Sequence, residues 1–169
     1  MNKPSLYFLR HGLAVERGAA GYEDSQRPLL PKGIKEVKRV AKALKRMKLK
    51  PDIILTSPYL RAAHTAEITG KILKAKRKIL FSLSLVPSAK FTGLFKDIRK
   101  LIRKYPEILL VGHEPHLSAF ISYLISGNTK ARFILKKSGL CKIVYKPKSF
   151  SPGTCSLAWF LPPDQLTRL

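Results

Sequence analysis

The sequence is poor in acidic residues. Its 169 residues include 10 aspartates and glutamates against 33 lysines and arginines, a formal net charge of +23 at pH 7. A field of this sign repels cations, draws in anions and speeds encounter with acidic partners. Binding to nucleic acid is a second interpretation of the same charge.

Cysteine is scarce and long apolar runs are missing. Cys141 and Cys155 are the two cysteines, and we expect both to be reduced core residues, although a single bridge between them stays open. The N-terminal apolar run is too short for a signal peptide, and no run approaches the length of a membrane-spanning helix. We therefore expect a cytoplasmic protein with no membrane partner.

Several catalytic motifs are also missing. No glycine-rich loop ends in Lys-Ser or Lys-Thr, which argues against nucleotide hydrolysis by that route. Neither cysteine lies in a nucleophile loop, which argues against a cysteine phosphatase. His113 and His116 are three residues apart with Pro115 between them, whereas the helical zinc motif spaces its histidines four apart, so no metal site is predicted.

The length of 169 residues predicts one domain over residues 1–169. Helices are predicted at 31–49, 57–73, 91–105 and 116–126, with Ser57 capping the second of these. Strands are predicted at 6–9, 52–56, 79–83, 108–111, 133–135, 140–145 and 154–161. This order predicts an α/β fold: a three-layer sandwich with a mostly parallel central sheet, helices on both faces and antiparallel C-terminal edge strands.

A long polar segment, residues 13–31, follows the first strand. It holds three of the ten acids, Glu16, Glu23 and Asp24. Connections of this length in a small domain are usually functional or mobile. Because the segment begins beside Arg10 and His11, we expect it to fold over whatever site those residues form.

Polar side chains follow three predicted strands. Arg10 and His11 end the first, Arg61 lies one helical turn beyond the second, and His113 follows the strand at 108–111. Carboxyl ends of parallel strands share one edge of the sheet, so these side chains should surround one pocket. Arginine binds phosphate bidentately, and a neutral histidine can attack phosphorus while a second, protonated one neutralises charge. With cationic side chains in these roles, no metal or other cofactor is expected.

These residues also lie in recognisable motifs. Arg10-His11-Gly12 resembles the signature of the histidine phosphatase superfamily, the run from Ser57 to Ala62 resembles its second-arginine segment, and Val111-Gly112-His113-Glu114 resembles its second-histidine segment. The short length, Arg27-Pro28-Leu29 and the Gly112–Pro115 run are most similar to the compact phosphohistidine phosphatases, which lack the large inserted cap of the mutases.

The resemblance implies a metal-independent phosphatase in which His11 is the nucleophile and carries the phosphoryl group until water releases it. The residues that would bind the phosphate are Arg10, Arg61 and His113, with Arg27 and Gly12 as further substrate-binding candidates.

One position departs from the family pattern. Many relatives place an acid in the segment 83–87, where this chain has Ser84. Mutase-like members use that acid to protonate an alkoxide leaving group, so its absence disfavours ordinary esters and favours phosphohistidine. Glu16 is a candidate general acid, with a solvated loop carboxylate as the alternative. We assign no role to His116.

Three functions therefore compete. The first is a protein phosphohistidine phosphatase, whose partner is a phosphorylated protein, and the second is a phosphatase of small phosphate esters or anhydrides. The third is a catalytically degenerate basic module that binds nucleic acid. Basic residues spread over several helices, with no aromatic-rich stretch for base stacking, argue against the third.

Overall fold

The computed structural model describes residues 3–75 and 78–168. Its centre is a six-stranded sheet with the order β3-β2-β4-β1-β5-β6. The strands are β1 Ser5–Arg10, β2 Ile53–Thr56, β3 Ile79–Phe81, β4 Glu107–Gly112, β5 Leu140–Val144 and β6 Ser156–Leu161. The helices are α1 Pro31–Arg46, α2 Leu60–Ile72, α3 Phe91–Leu101, α4 His116–Ser126 and the short α5 Pro163–Leu166.

Strand β1 separates two hydrophobic cores. Its side chains alternate, so Leu6 and Phe8 lie in one core while Tyr7 and Leu9 lie in the other. Helices α3 and α4 cover the first core, and α1 and α2 cover the second. The predicted three-layer sandwich is thereby confirmed, and α1 buries one face through Val37, Val40, Ala41 and Leu44.

The first four strands of the chain, β1 to β4, run parallel, with β4 between β1 and β2. Arg10 is level with Gly112, and Thr56 is level with Val111. The carboxyl ends of the three strands therefore lie side by side, as predicted. Beyond β1, strand β5 pairs with β1 in antiparallel orientation, and β6 pairs with β5 in the same way.

The predicted strand at 133–135 is wrong. The structure assigns these residues to no strand, with Ile134 77% exposed and Leu135 buried. The side chain of Arg10 donates to the carbonyl of Leu135 at 2.9 Å. Because that carbonyl bonds a side chain rather than a neighbouring strand, the segment passes over the end of β1 instead of joining the sheet.

Helix ends also differ from the prediction. Helix α2 begins at Leu60, with Tyr59 as its N-cap residue, and not at Ser57. Helix α1 ends at Arg46 before Lys48, whose φ of 58° is left-handed, and α3 ends at Leu101. Strand β3 ends at Phe81 before a 3₁₀ turn, Leu83–Leu85. The sequence also predicts a basic, exposed connection over 71–78, of which residues 76 and 77 lie outside the described residues.

Both cysteines are free and buried in the core. In the described part of the chain, no helix combines the length and apolar content needed to span a membrane.

Candidate active site

His11 lies immediately after β1 and is 7% exposed. Its Nδ1 is 2.8 Å from the carbonyl oxygen of Gly12. Because a carbonyl only accepts hydrogen bonds, Nδ1 carries the proton in this arrangement and Nε2 keeps its lone pair. The end of β1 therefore presents His11 in the tautomer that a nucleophile requires.

Gly12, the residue after His11, packs closely against two helices. Its N–H donates to the Thr65 hydroxyl at 3.1 Å. A Cβ at Gly12 would come within 2.6 Å of the Val37 side chain. The structure places this glycine against α1 and α2 and not among the residues that line the cavity described below. Gly12 thus lets the strand end approach the helices closely, a packing role that differs from the substrate contact expected of it.

Arg61, on the first turn of α2, is 2% exposed and contacts His11 directly. Its Nε donates to Nε2 of His11 at 3.3 Å. Its two terminal nitrogens donate to Asp24, one to the backbone carbonyl and the other to the carboxylate at 3.2 Å. The buried guanidinium thus joins the nucleophile candidate to the long loop over the site.

His113 follows β4 and is 1% exposed. Its ring centre is 5.0 Å from that of His11, and its Nε2 is 2.9 Å from the hydroxyl of Ser57. The buried Nδ1 has no hydrogen-bond partner among the described residues. Buried polar atoms are normally paired, so this nitrogen is an unsatisfied group beside the site. Ser57 therefore positions His113, and its hydroxyl also accepts from the backbone N–H of Tyr59 at 3.2 Å, just before α2 begins.

Both histidines are neutral in this structure. Burial first, and then the positive charge of Arg61 and Arg10, lowers the pKa of His11 to about 3. Burial, followed by His11 and Arg61, lowers the pKa of His113 to about 2. A neutral His11 agrees with its expected role. The lowered pKa of His113 does not agree with the protonated state that we expect for it. A bound phosphoryl group would supply negative charge beside the ring and so raise this pKa.

Asp24 connects three arginines of the loop and the site. Its carboxylate accepts from Arg27 at 2.7 and 3.0 Å and from Arg61 at 3.2 Å, and Arg17 lies at 3.8 Å. Arg27 also donates to the carbonyl of Val15. Burial tends to raise the pKa of Asp24, but hydrogen bonds and charges from Arg27 and Arg61 outweigh it and lower that pKa. The segment 13–31 therefore folds over the site, as expected.

These side chains surround a cavity of about 300 Å³. Every strand-end residue predicted to meet there does so, together with Arg27 and Glu16. Its basic lining residues are Arg10, Arg17, Arg27, Arg61 and Lys137, and its acidic ones are Glu16, Asp24 and Glu114. An anion can enter a cavity with this excess of fixed positive charge, and the lone pair on His11 Nε2 can attack it.

Ser84 lies outside this cavity. The hydroxyls of Ser82 and Ser84 donate to Asp97 at 2.7 and 2.8 Å, which anchors the segment to α3. The residue of the segment 83–87 that lines the cavity is Pro87. No side chain of that described segment therefore supplies an acid.

Five contributors escaped the sequence analysis as site residues: Arg17, Asp24, Ser57, Glu114 and Lys137. Glu114 accepts from the backbone N–H and the hydroxyl of Ser118, and burial raises the pKa of its carboxyl group. The three-residue spacing of Asp24 and Arg27 is the signal that could have singled out that pair. No pattern distinguishes Lys137 from the other basic residues.

Metal binding finds no support in the described residues. Across 3–75 and 78–168, no group of three or more histidine, cysteine, aspartate or glutamate side chains is arranged to hold a metal ion.

Known proteins are similar to this chain in sequence and in fold. The family model of the histidine phosphatase superfamily (branch 1) matches residues 6–84. An uncharacterized protein of Picosynechococcus sp. is 38% identical over 138 residues, 80% of this chain and 81% of that protein. Phosphohistidine phosphatase SixA of Escherichia coli is 28% identical over 129 residues, 76% and 78% of the two chains. The structure of the protein histidine phosphatase SixA complexed with tungstate superposes with a TM-score of 0.83 at 25% identity, covering 96% of this chain and 99% of that one.

Proposed function

The chain belongs to the histidine phosphatase superfamily (branch 1), and from that membership we propose that it hydrolyses phosphohistidine in a partner protein through a phosphoryl intermediate on His11. Residues 1–169 form the single catalytic domain in this proposal. The two free, buried cysteines fit the reducing cytoplasm as its location.

In the first step, Nε2 of His11 attacks phosphorus while Nδ1–H stays on the carbonyl of Gly12. The bond from phosphorus to the substrate nitrogen breaks, and its electron pair returns to that nitrogen. A substrate imidazole that is protonated on its other nitrogen leaves as neutral imidazole. No proton transfer from the enzyme is then required, which suits a cavity whose segment 83–87 offers no acid.

The arginines hold the phosphoryl oxygens. Arg10 and Arg61 line the cavity together with His11, and Arg27 approaches from the loop. The oxygens replace the carboxylate of Asp24 as the partner of Arg61, and this frees Nε2 of His11 from the Arg61 N–H. His113 donates from its unpaired Nδ1 and takes up a second proton as charge develops.

In the second step, water attacks phospho-His11. The phosphorus–Nε2 bond breaks, its electron pair returns to His11, and inorganic phosphate leaves. Glu16, exposed at the cavity mouth, is the candidate that exchanges protons with solvent water during either step.

The observation that carries this proposal is the neutral His11 inside a cavity with five basic side chains. Similarity to SixA over three quarters of both chains supports a phosphohistidine substrate. The same cavity would also accept the phosphate of a small ester or anhydride, and this is the competing function.

Relative turnover decides between the two. We expect kcat/KM for a phosphohistidine-containing protein to exceed that for a phosphoserine protein and for sugar phosphates by about a hundredfold or more, because an alkoxide leaves poorly without an acid. Equal or faster turnover of the small esters overturns the phosphohistidine assignment.

A further inference from the structure

A groove of about 640 Å³ runs between α1 and α2 and shares no lining residue with the catalytic cavity. Its apolar lining consists of Ile34, Ile68 and Ile72. Its basic lining consists of Lys38, Lys42, Lys45, Lys71 and Lys74. We refer to this surface as the lysine groove.

The lysine groove carries exposed positive charge. All five lysines are exposed. No acidic side chain lines the groove, and none of the ion pairs found among the described residues involves these lysines. The three isoleucines are half-buried, so apolar surface stays open between the lysines.

The dimensions of the lysine groove match a helix. Lys38, Lys42 and Lys45 follow one another at helical spacing on a single stripe of α1. From Ile34 to Lys45 the groove extends for about 16 Å at 1.5 Å per residue. A bound helix of three turns has the same length. Its apolar side chains at i, i+3/i+4 and i+7 would lie opposite the isoleucines.

We propose that the lysine groove binds an acidic amphipathic helix of a partner protein. The apolar face of that helix packs on Ile34, Ile68 and Ile72, and carboxylates at its margins pair with the lysines. Nucleic acid is the poorer fit because its phosphates gain nothing from an isoleucine floor. No phenylalanine, tyrosine, tryptophan or arginine appears among the described lining residues to stack on bases.

The position of the lysine groove links the binding of a partner to the sheet edge at which the catalytic cavity lies. His64 lines its near end and follows Arg61 by three residues on α2. A partner helix seated here would thus hold the rest of its protein beside the cavity mouth. Binding to the groove itself does not depend on the proposed phosphatase activity, so the two can fail separately.

The test is fluorescence anisotropy with a labelled synthetic helix of about 18 residues that carries leucine on one face and glutamate at the margins. Two further probes are a shuffled peptide of the same composition and an oligothymidylate of equal charge. The proteins are the wild-type chain, K38E/K42E/K45E and a matched control, K96E/K100E/R103E, which removes the same charge from exposed residues in and just after α3. Circular dichroism checks the fold of each.

We expect the amphipathic peptide to bind the wild-type chain and to lose about tenfold or more in affinity with the groove variant, since each exposed pair contributes modestly. The control variant should lose less than threefold. The proposal is overturned if the shuffled peptide binds equally well, if the oligothymidylate binds more tightly in a groove-dependent way, if both variants weaken binding equally, or if the peptide does not bind.

Discussion

The Nε of Arg61 donates a hydrogen bond to Nε2 of His11 across 3.3 Å, at the atom that we propose as the nucleophile. The same guanidinium is held from the other side by the Asp24 carboxylate. Arg61 therefore links the reacting nitrogen to the loop over the site. An incoming phosphoryl group would exchange both contacts for its own oxygens.

We predict that Arg61→Lys lowers kcat/KM for a phosphorylated substrate by about 10²- to 10³-fold. Lysine keeps the charge but cannot bind two phosphoryl oxygens as a planar fork. Steady-state kinetics measure the loss, with the exposed Arg132→Lys as a matched control that should retain wild-type activity. A loss below about fivefold would show that the fork at Arg61 is unimportant.

We predict that His113 gains a proton when an oxyanion binds. Its pKa is about 2 in this structure, and negative charge beside the ring raises it. Since the bound form holds more protons, affinity for tungstate should fall as the pH rises towards the bound-state pKa and should level off above it. Calorimetry of tungstate binding in two buffers of different ionisation enthalpy should show proton uptake by the wild type and less uptake by His113→Gln. Equal uptake by both proteins would contradict this assignment.

The two histidines should also make stability depend on pH. Their pKa values in the fold, about 3 and 2, lie below the ordinary value near 6.5. The unfolded chain therefore binds more protons below pH 6.5, so their contribution is complete above that pH and is lost as the pH falls. Between pH 7 and pH 5, protonation of each histidine in the unfolded chain should lower the free energy of unfolding by about 2 kcal/mol. Denaturant unfolding should show a shallower decrease in His11→Asn/His113→Asn, and an unchanged slope would refute this effect.

Lys137 should strengthen substrate binding without taking part in bond making. It lines the cavity, and its charge lowers the pKa of His11 after larger contributions from burial and the arginines. Lys137→Ala should raise KM about fivefold to tenfold with little change in kcat. The neighbouring Lys136 is exposed and outside the cavity lining, so Lys136→Ala is the control. Equal effects of the two substitutions would remove Lys137 from substrate binding.

The meeting of Arg10, His11, Arg61 and His113 could be predicted because three buried apolar runs end at these residues or just before them. Parallel strands bring such ends together whatever the intervening chain does. The contacts of Asp24 and Ser57 could not be predicted in this way. They depend on the path of the loop 13–31 and on the exact start of α2, and neither follows from apolar periodicity.

The wrongly predicted strand at 133–135 is a second case in which long-range contacts decide the structure. Phe133-Ile134-Leu135 has the composition of a strand, yet the side chain of Arg10 takes the Leu135 carbonyl. Ser138 then donates its backbone N–H to the carbonyl oxygens of Arg10 and His11. These long-range bonds carry Lys137 to the cavity, and no local pattern in the sequence encodes them.

The most direct test of the central claim is to trap the phosphoryl-enzyme. The wild-type chain is mixed with a protein carrying ³²P-phosphohistidine, quenched within milliseconds under alkaline conditions, digested and mapped by mass spectrometry. We predict label on His11 alone, and none in His11→Ala. Label on His64, His113 or His116, or full phosphate release by His11→Ala, would contradict the account.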